Sequence, residues 1–502
     1  MSEAKRTTEG NKLDVKYLDS PDKSEYDMAE YSLSLQNCVQ KTAVTSEIWC
    51  HPKFYRPMCY INLHMVPPQI FQISNNAIFL DLYCTVLKYL LNEKLHPAVT
   101  AGLNYYTINV SKEAVGIIIQ LSGFDEKLLT LLTIIANYMV DFNKLVSEDL
   151  FEIIKRHQLK AYYNKFLKPE EFIEDVELWI LKYQYYPDIH KYNYLSKLIN
   201  FSNFQNFTKI LTNTMYFQCL VQGNITKDFT IKIIQRFINK INYCPLRDAD
   251  KLRLIGVIEI SEGTSYCKLK NINRTNVNSV VTNYYQVGIA TIELSVLIQL
   301  MLMIIKQPLI NHLRTQEKIS FVSCNLRDIN GMLGYSITAY TQAEKYTTEY
   351  VDQLIEGFLN TFSIMLKQFS EKKLNDIKER LRILKQYDNA ELLNEVNRNC
   401  SEITKRQYMF DRCEKEALAI ENVNINMLRE WFGTLNASNF RKLSIHVVGT
   451  DPKEITVNAE NRRYDEYSTT EFIIDDTQCK DGHHITDVDT YKNIRLSRVS
   501  IL

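Results

Sequence analysis

The chain has 502 residues, with 59 basic and 59 acidic side chains and a formal net charge of zero. That balance gives no pull toward nucleic acid or an anionic membrane, and 45% hydrophobic with 24% charged residues is ordinary for a soluble globular protein. The length suits about three domains of roughly 150 residues each.

Only 14 glycines and 11 prolines occur, which favours long helices with few tight turns. The 11 cysteines are odd in number, run from Cys38 to Cys479, and include no Cys-x-x-Cys. A disulfide framework or structural zinc site is therefore not expected, and reduced thiols in the cytoplasm are. The start, Met1-Ser-Glu-Ala-Lys-Arg6, is charged and lacks the apolar segment of a secretory signal.

Residues 1–45 read as a polar, flexible lead-in. A strand is expected over 60–66 by alternation, then a helix over 75–92 capped by Ser74. Two short strands, 103–110 and 115–121, flank the hairpin-sized gap 111–114. Helices follow over 127–142, 147–166, 169–185 and 203–211, a strand over 217–221, and a helix to residue 242 opened by Gly223-Asn-Ile-Thr226. Pro245 marks a boundary, after which strands are expected over 252–259, 265–270 and 279–287.

The segment 289–369 is the best patterned part of the chain. An apolar run, 291–305, reads as a helix, and its most apolar part, 294–305, is shorter than the roughly 20 residues a membrane span needs. An alternating strand, the turn Gly331-Met-Leu-Gly-Tyr335, a strand over 336–340 and an amphipathic helix over 347–369 follow. Helices over 373–387, 391–407 and 427–432 and a strand over 442–448 complete the pattern, and the acidic residues after Gly449 read as a loosely held tail. The order strand, apolar helix, two strands, amphipathic helix occurs over both 60–142 and 279–369. The fold class is therefore α+β, two similar domains each with a mostly antiparallel sheet and helices on one face. Domains are placed at 46–244 and 245–450, between the lead-in and a tail over 451–502.

Several motifs in order carry a resemblance: Ser24-Glu-Tyr-Asp-Met-Ala-Glu-Tyr-Ser-Leu33, Ile48-Trp-Cys-His-Pro-Lys-Phe54, Leu220-Val-Gln-Gly-Asn-Ile-Thr226, Leu313-Arg-Thr315 and Gln407-Tyr-Met-Phe-Asp-Arg412. Over roughly 24–450 the chain resembles the C-terminal half of the nardilysin and insulin-degrading enzyme family of pitrilysin-type zinc metallopeptidases. The resemblance implies two α+β domains that close over an N-terminal half. That half carries the zinc on an inverted His-x-x-Glu-His helix with a downstream Glu. Two histidines one helical turn apart hold the metal and the Glu takes a proton from its water.

None of the nine histidines here begins such a motif, so no zinc or other cofactor is expected in this chain and it is expected to be inactive alone. The resemblance implies substrate contacts at the motif Arg-Thr-x-x-x-Leu-Gly-Tyr, which here ends Ile319-Ser-Phe321. Arg314 should bond substrate backbone or support the following strand; as a cation near a helix C-terminus it also fits a dipole role. Phe321 stands where the family has a phenol that can donate toward the scissile carbonyl, a bond worth roughly 2.7–4 kcal/mol in a transition state. Phenylalanine keeps the ring without the donor, and by residue type it also reads as core.

The expected partners are peptides, an N-terminal catalytic half or a second copy, with neither nucleic acid nor membrane. Cleavage at basic or dibasic sites by an assembled enzyme, and a plain interaction scaffold, are the alternatives. Cys50, His51, Cys59 and His64, and separately Cys479, His483 and His484, are the remaining metal candidates, at irregular spacing. Asp411-Arg412 reads as a structural ion pair.

Overall fold

The computed structural model describes residues 14–17, 46–53, 57–67, 74–100, 104–110, 116–183, 185–211, 214–241, 244–245, 256–387, 391–435, 440–454, 470–473, 483–495 and 499–501. Ser24 to Leu33, the gap 111–114, residues 252–255, Asp475, Asp476, Cys479 and Asp481 lie outside the described residues. Two compact units interleave along the chain: Met1–Arg156, Ile199–Arg253 and Glu391–Phe410 in the first, His157–Leu198, Leu254–Ala390 and Asp411–Leu502 in the second. The sequence reading draws contiguous domains; the units exchange two segments because of what those segments bury. Phe172, Val176 and Trp179 pack with Leu443 and Ile445 of the second unit, while Val396 and Ile403 pack with Trp49 and Leu220 of the first.

The first unit holds strands β1 (Asp14–Tyr17), β2 (Ser46–Pro52), β3 (Cys59–Val66), β4 (Asn104–Val110), β5 (Ile117–Gly123), β6 (Thr214–Gly223) and β7 (Cys244–Pro245). The sheet order is β1-β2-β6-β3-β5-β4, with β7 also on β6. The β3, β5 and β4 pairings are antiparallel, whereas β1, β2 and β6 run parallel. Successive side chains alternate faces. Cys50 therefore meets Thr230 of the Lys227–Ile241 helix at 3.6 Å, while Trp49 packs on Tyr408 and Phe410 at centroid distances of 5.4 and 4.8 Å. The Ser74–Thr100 helix outruns its expected end by two turns, past Pro97, because Leu87, Leu91 and Leu95 continue its buried stripe.

The second unit holds β8 (Gly256–Ile258), β9 (Gly263–Lys270), β10 (Asn278–Ile289), β11 (Phe321–Ile329), β12 (Met332–Gln342), β13 (Arg441–Val448), β14 (His483–His484) and β15 (Val499–Ile501). Six of them form a sheet in the order β11-β12-β10-β13-β9-β14, and β8 pairs with β15. Helices Ile292–Ile310 and Thr348–Lys367 cover the face that carries Val281 and Ile337. Helices Pro169–Leu181 and Val488–Asn493 cover the face that carries Val280 and Ile445. With both faces covered, β10 and β13 are buried along most of their length.

Three expectations change here. The turn between β11 and β12 is only Asn330-Gly331, both at positive φ, and Met332 to Tyr335 are strand. Gly334 is needed for close approach, since a Cβ there would lie 2.3 Å from the Tyr285 carbonyl oxygen. The tail is not loose over its described part: β14 pairs with β9, and Ile485, Val488 and Tyr491 enter the core. The apolar run extends into the segment Ile292–Gln316, long and apolar enough to cross a membrane by composition, yet Val296, Ile298, Leu300, Met301 and Ile305 are wholly buried inside the unit. Asp411 pairs with Lys415 at 3.0 Å, one turn into the Arg412–Asn422 helix.

Candidate peptide-binding edge

Thr291 caps the Ile292–Ile310 helix, its hydroxyl accepting the Leu294 N–H at 3.1 Å. Pro308 has no N–H to give, and beyond it the chain widens into a π turn, Asn311–Gln316, a geometry frequent at functional positions. The turn ends at Lys318, held at φ 57°. Buried Ile319 anchors it, and the carbonyls of Glu317 and Lys318 accept from the Tyr346 hydroxyl at 3.1 Å and the Lys345 ammonium at 2.9 Å. Leu313 fills the core while Arg314 is exposed, with no hydrogen-bond or ion-pair partner among the described residues.

Seven residues on, Phe321 opens β11, the end strand of the sheet. Val322 and Cys324 point into the core. Phe321 is 50% exposed, so its core reading does not hold. Its ring meets Tyr340, its ladder partner, edge-on at 5.3 Å. Burial, with Glu170 and Glu174 nearby, pushes the Tyr340 phenol up to about 12, so it stays a donor at neutral pH. Sequence reasoning missed Tyr340; its position two strand ends away gave no signal until the register was known. Further along β11, Arg327 bonds Glu177, a buried carboxyl that burial raises despite that partner.

Chemistry elsewhere in the second unit is enclosed. Ser444 Oγ lies 2.9 Å from His446 Nε2, and His446 Nδ1 lies 3.8 Å from Glu349, the connectivity of a nucleophile, base and orienter. Ser444 is wholly buried and also donates to Asn283 at 2.8 Å, so no substrate reaches it. Nor does the set fit zinc. The Lys268 ammonium occupies Glu349 at 2.6 Å, and although burial works to raise that carboxyl, the His446 ring and Lys268 hold it well below the carboxylate range. Among the described residues no three His, Cys, Asp or Glu side chains converge to hold a metal. Cys50 and His51 lie on β2, Cys59 and His64 on β3, and His51 sits 3.5 Å from Glu395; His483 and His484 are exposed on β14.

Residues 29–194 match the family described as the middle or third domain of peptidase M16, and residues 300–400 the PQQ synthase PqqF-like C-terminal lobe domain 4. Human nardilysin is 31% identical over 422 residues, covering 84% of this chain and 36% of nardilysin. The Drosophila melanogaster insulin-degrading enzyme is 23% identical over 443 residues, covering 85% of the chain and 42% of that enzyme. Among solved structures, pitrilysin superposes with a TM-score of 0.74 at 13% identity, covering 89% of this chain and 45% of pitrilysin. The chain thus spans a little over a third of the length of the nardilysins it matches. It belongs to the nardilysin and pitrilysin-type peptidase M16 family and corresponds to the C-terminal portion of its members.

Proposed function

We propose that this chain is a non-catalytic substrate-binding portion of a peptidase M16 assembly, taking extended peptides along β11 in the region of Arg314 and Phe321. The open end strand carries this reading: an extended peptide can add to it through main-chain hydrogen bonds. The exposed Phe321 ring offers an apolar contact and Arg314 a cation for peptide carbonyls or acidic side chains. The sequence holds no His-x-x-Glu-His, so the zinc and its water would come from an N-terminal catalytic half. Free buried thiols such as Cys219 and Cys267 suit a reducing, cytoplasmic setting.

The test is fluorescence anisotropy with a labelled extended peptide bearing a dibasic pair, followed by cleavage of its fluorogenic form with and without a nardilysin N-terminal half. Saturable binding by the chain alone, weakened at least about threefold by Arg314→Ala and by Phe321→Ala, is expected, with no cleavage. Cleavage gained on mixing would make the chain an enzyme subunit acting at basic sites, the second reading, which the kinship to nardilysin favours. Binding untouched by both substitutions would leave a scaffold that holds no peptide at this edge.

A further inference from the structure

A groove of about 630 Å³ runs between the Asp125–Val140 and Lys227–Ile241 helices of the first unit. The second helix buries Ile233 and Phe237 toward the sheet, so of these residues only the half-buried Leu129 offers apolar surface to the groove. Along one rim stand Lys232, Arg236 and Lys240, all exposed. They recur every fourth residue, so each is about 6 Å further along the helix axis than the last. None has an ion-pair or hydrogen-bond partner among the described residues, and among those residues no carboxylate lines the groove. The chain as a whole is neutral, so this is a local concentration of positive charge beside apolar surface.

We propose that this groove docks an acidic amphipathic helix of a partner protein. Three cations in a line, one helical turn apart, match carboxylates at the same repeat on a helix laid alongside, whose apolar face would rest on the half-buried Leu129. A small phosphate-like anion is matched less well, since it takes donors that converge on one point. An anionic lipid surface is flat, and Leu129 lines a groove.

The probe is a labelled helical peptide with leucines along one face and glutamates at every fourth position on its flank, titrated with the intact chain. Fluorescence anisotropy should give saturable binding in the micromolar range that weakens as salt is raised. Reversing the rim with Lys232→Glu, Arg236→Glu and Lys240→Glu together should weaken it at least tenfold, and Leu129→Glu alone severalfold. Unchanged circular dichroism melts would show that the variants fold. A peptide of the same composition with scattered glutamates should bind at least tenfold more weakly. Equal binding of the two peptides, equal binding by the rim variant, or no binding at all would overturn the proposal. So would capture of phosphatidylserine vesicles or tripolyphosphate in preference to the peptide.

Discussion

His64 ought to make the first unit acid-labile. It lies on β3, 3% exposed, with Nδ1 at 3.0 Å from Gln218 Oε1. Gln218 is held in that orientation because its amide donates to the Ile403 carbonyl at 3.1 Å and toward Glu47 at 3.4 Å. The other ring nitrogen has no partner among the described residues, and even a Cβ added at Gly116 would come within 2.7 Å of it. A proton on that nitrogen would be buried without an acceptor. Burial, with the Arg406 charge adding to it and the Gln218 bond opposing, lowers the imidazole from 6.5 to about 4. The unfolded chain therefore binds the proton more readily between pH 6.5 and about 4, so stability rises with pH across that window. The contribution is complete above pH 6.5 and amounts to on the order of 3 kcal/mol, lost as pH falls toward 4. Urea midpoints followed by far-ultraviolet circular dichroism across this range measure it. His64→Phe should lower stability at neutral pH by about 1–3 kcal/mol, since Gln218 Oε1 loses its donor, and should flatten the acid slope. A variant with the wild-type slope would refute the reasoning and move the titration to another group.

Lys442 is 2% exposed and bonds both Asp352 and Glu356 at 2.6 Å. Burial works against its charge, but the two carboxylates outweigh it and raise the ammonium pKa. Lys442→Met should cost about 3 kcal/mol or more, because Asp352 is left buried with, among the described residues, only Asn283 to donate to it; adding Asp352→Asn should recover part of the loss in thermal melts. Tyr491→Phe removes the 3.0 Å contact with Ser265 and should cost about 1 kcal/mol. Ending the chain at residue 482 takes Ile485, Val488 and Tyr491 out of the core at about 1.5–3 kcal/mol each, and a melt unchanged by that truncation would restore the loose-tail reading.

The helices read most accurately from sequence were those with one buried face. The Thr348–Lys367 helix, capped by Thr347, and the Glu148–Phe166 helix lie within two residues of their expected positions, because their apolar repeat and caps are local. The Asp188–Leu198 helix was missed: it buries only Ile189 and Leu195, and its start depends on Asp175 accepting the Asp188 N–H from another helix. The interleaving of the units had no local trace, because Val396 and Ile403 look like any helical stripe until Trp49 is found beneath them. The candidate edge was half legible. The motif singles out Arg314 and Phe321, but the exposure of Phe321 follows from β11 being an end strand, a property of strand order and not of any one residue.

Strand order also decides whether Tyr340 can stand in for the phenol that Phe321 lacks. Ladder partners share a face, so the Tyr340 hydroxyl is on the correct side of the sheet and protonated at neutral pH. It belongs, however, to the next strand inward, about 4.8 Å from β11. A donor that stabilises a developing oxyanion has to lie within about 2.7–3.1 Å of it, so a peptide seated on the β11 edge is out of its reach by about a strand spacing. On our proposed function, Phe321→Tyr should raise cleavage in the mixture with an N-terminal half by up to about 10²-fold, while Tyr340→Phe should leave cleavage unchanged. Steady-state rates on the fluorogenic dibasic peptide separate the two. A large loss with Tyr340→Phe and no gain with Phe321→Tyr would mean that the peptide lies across the face of the sheet and not along its edge.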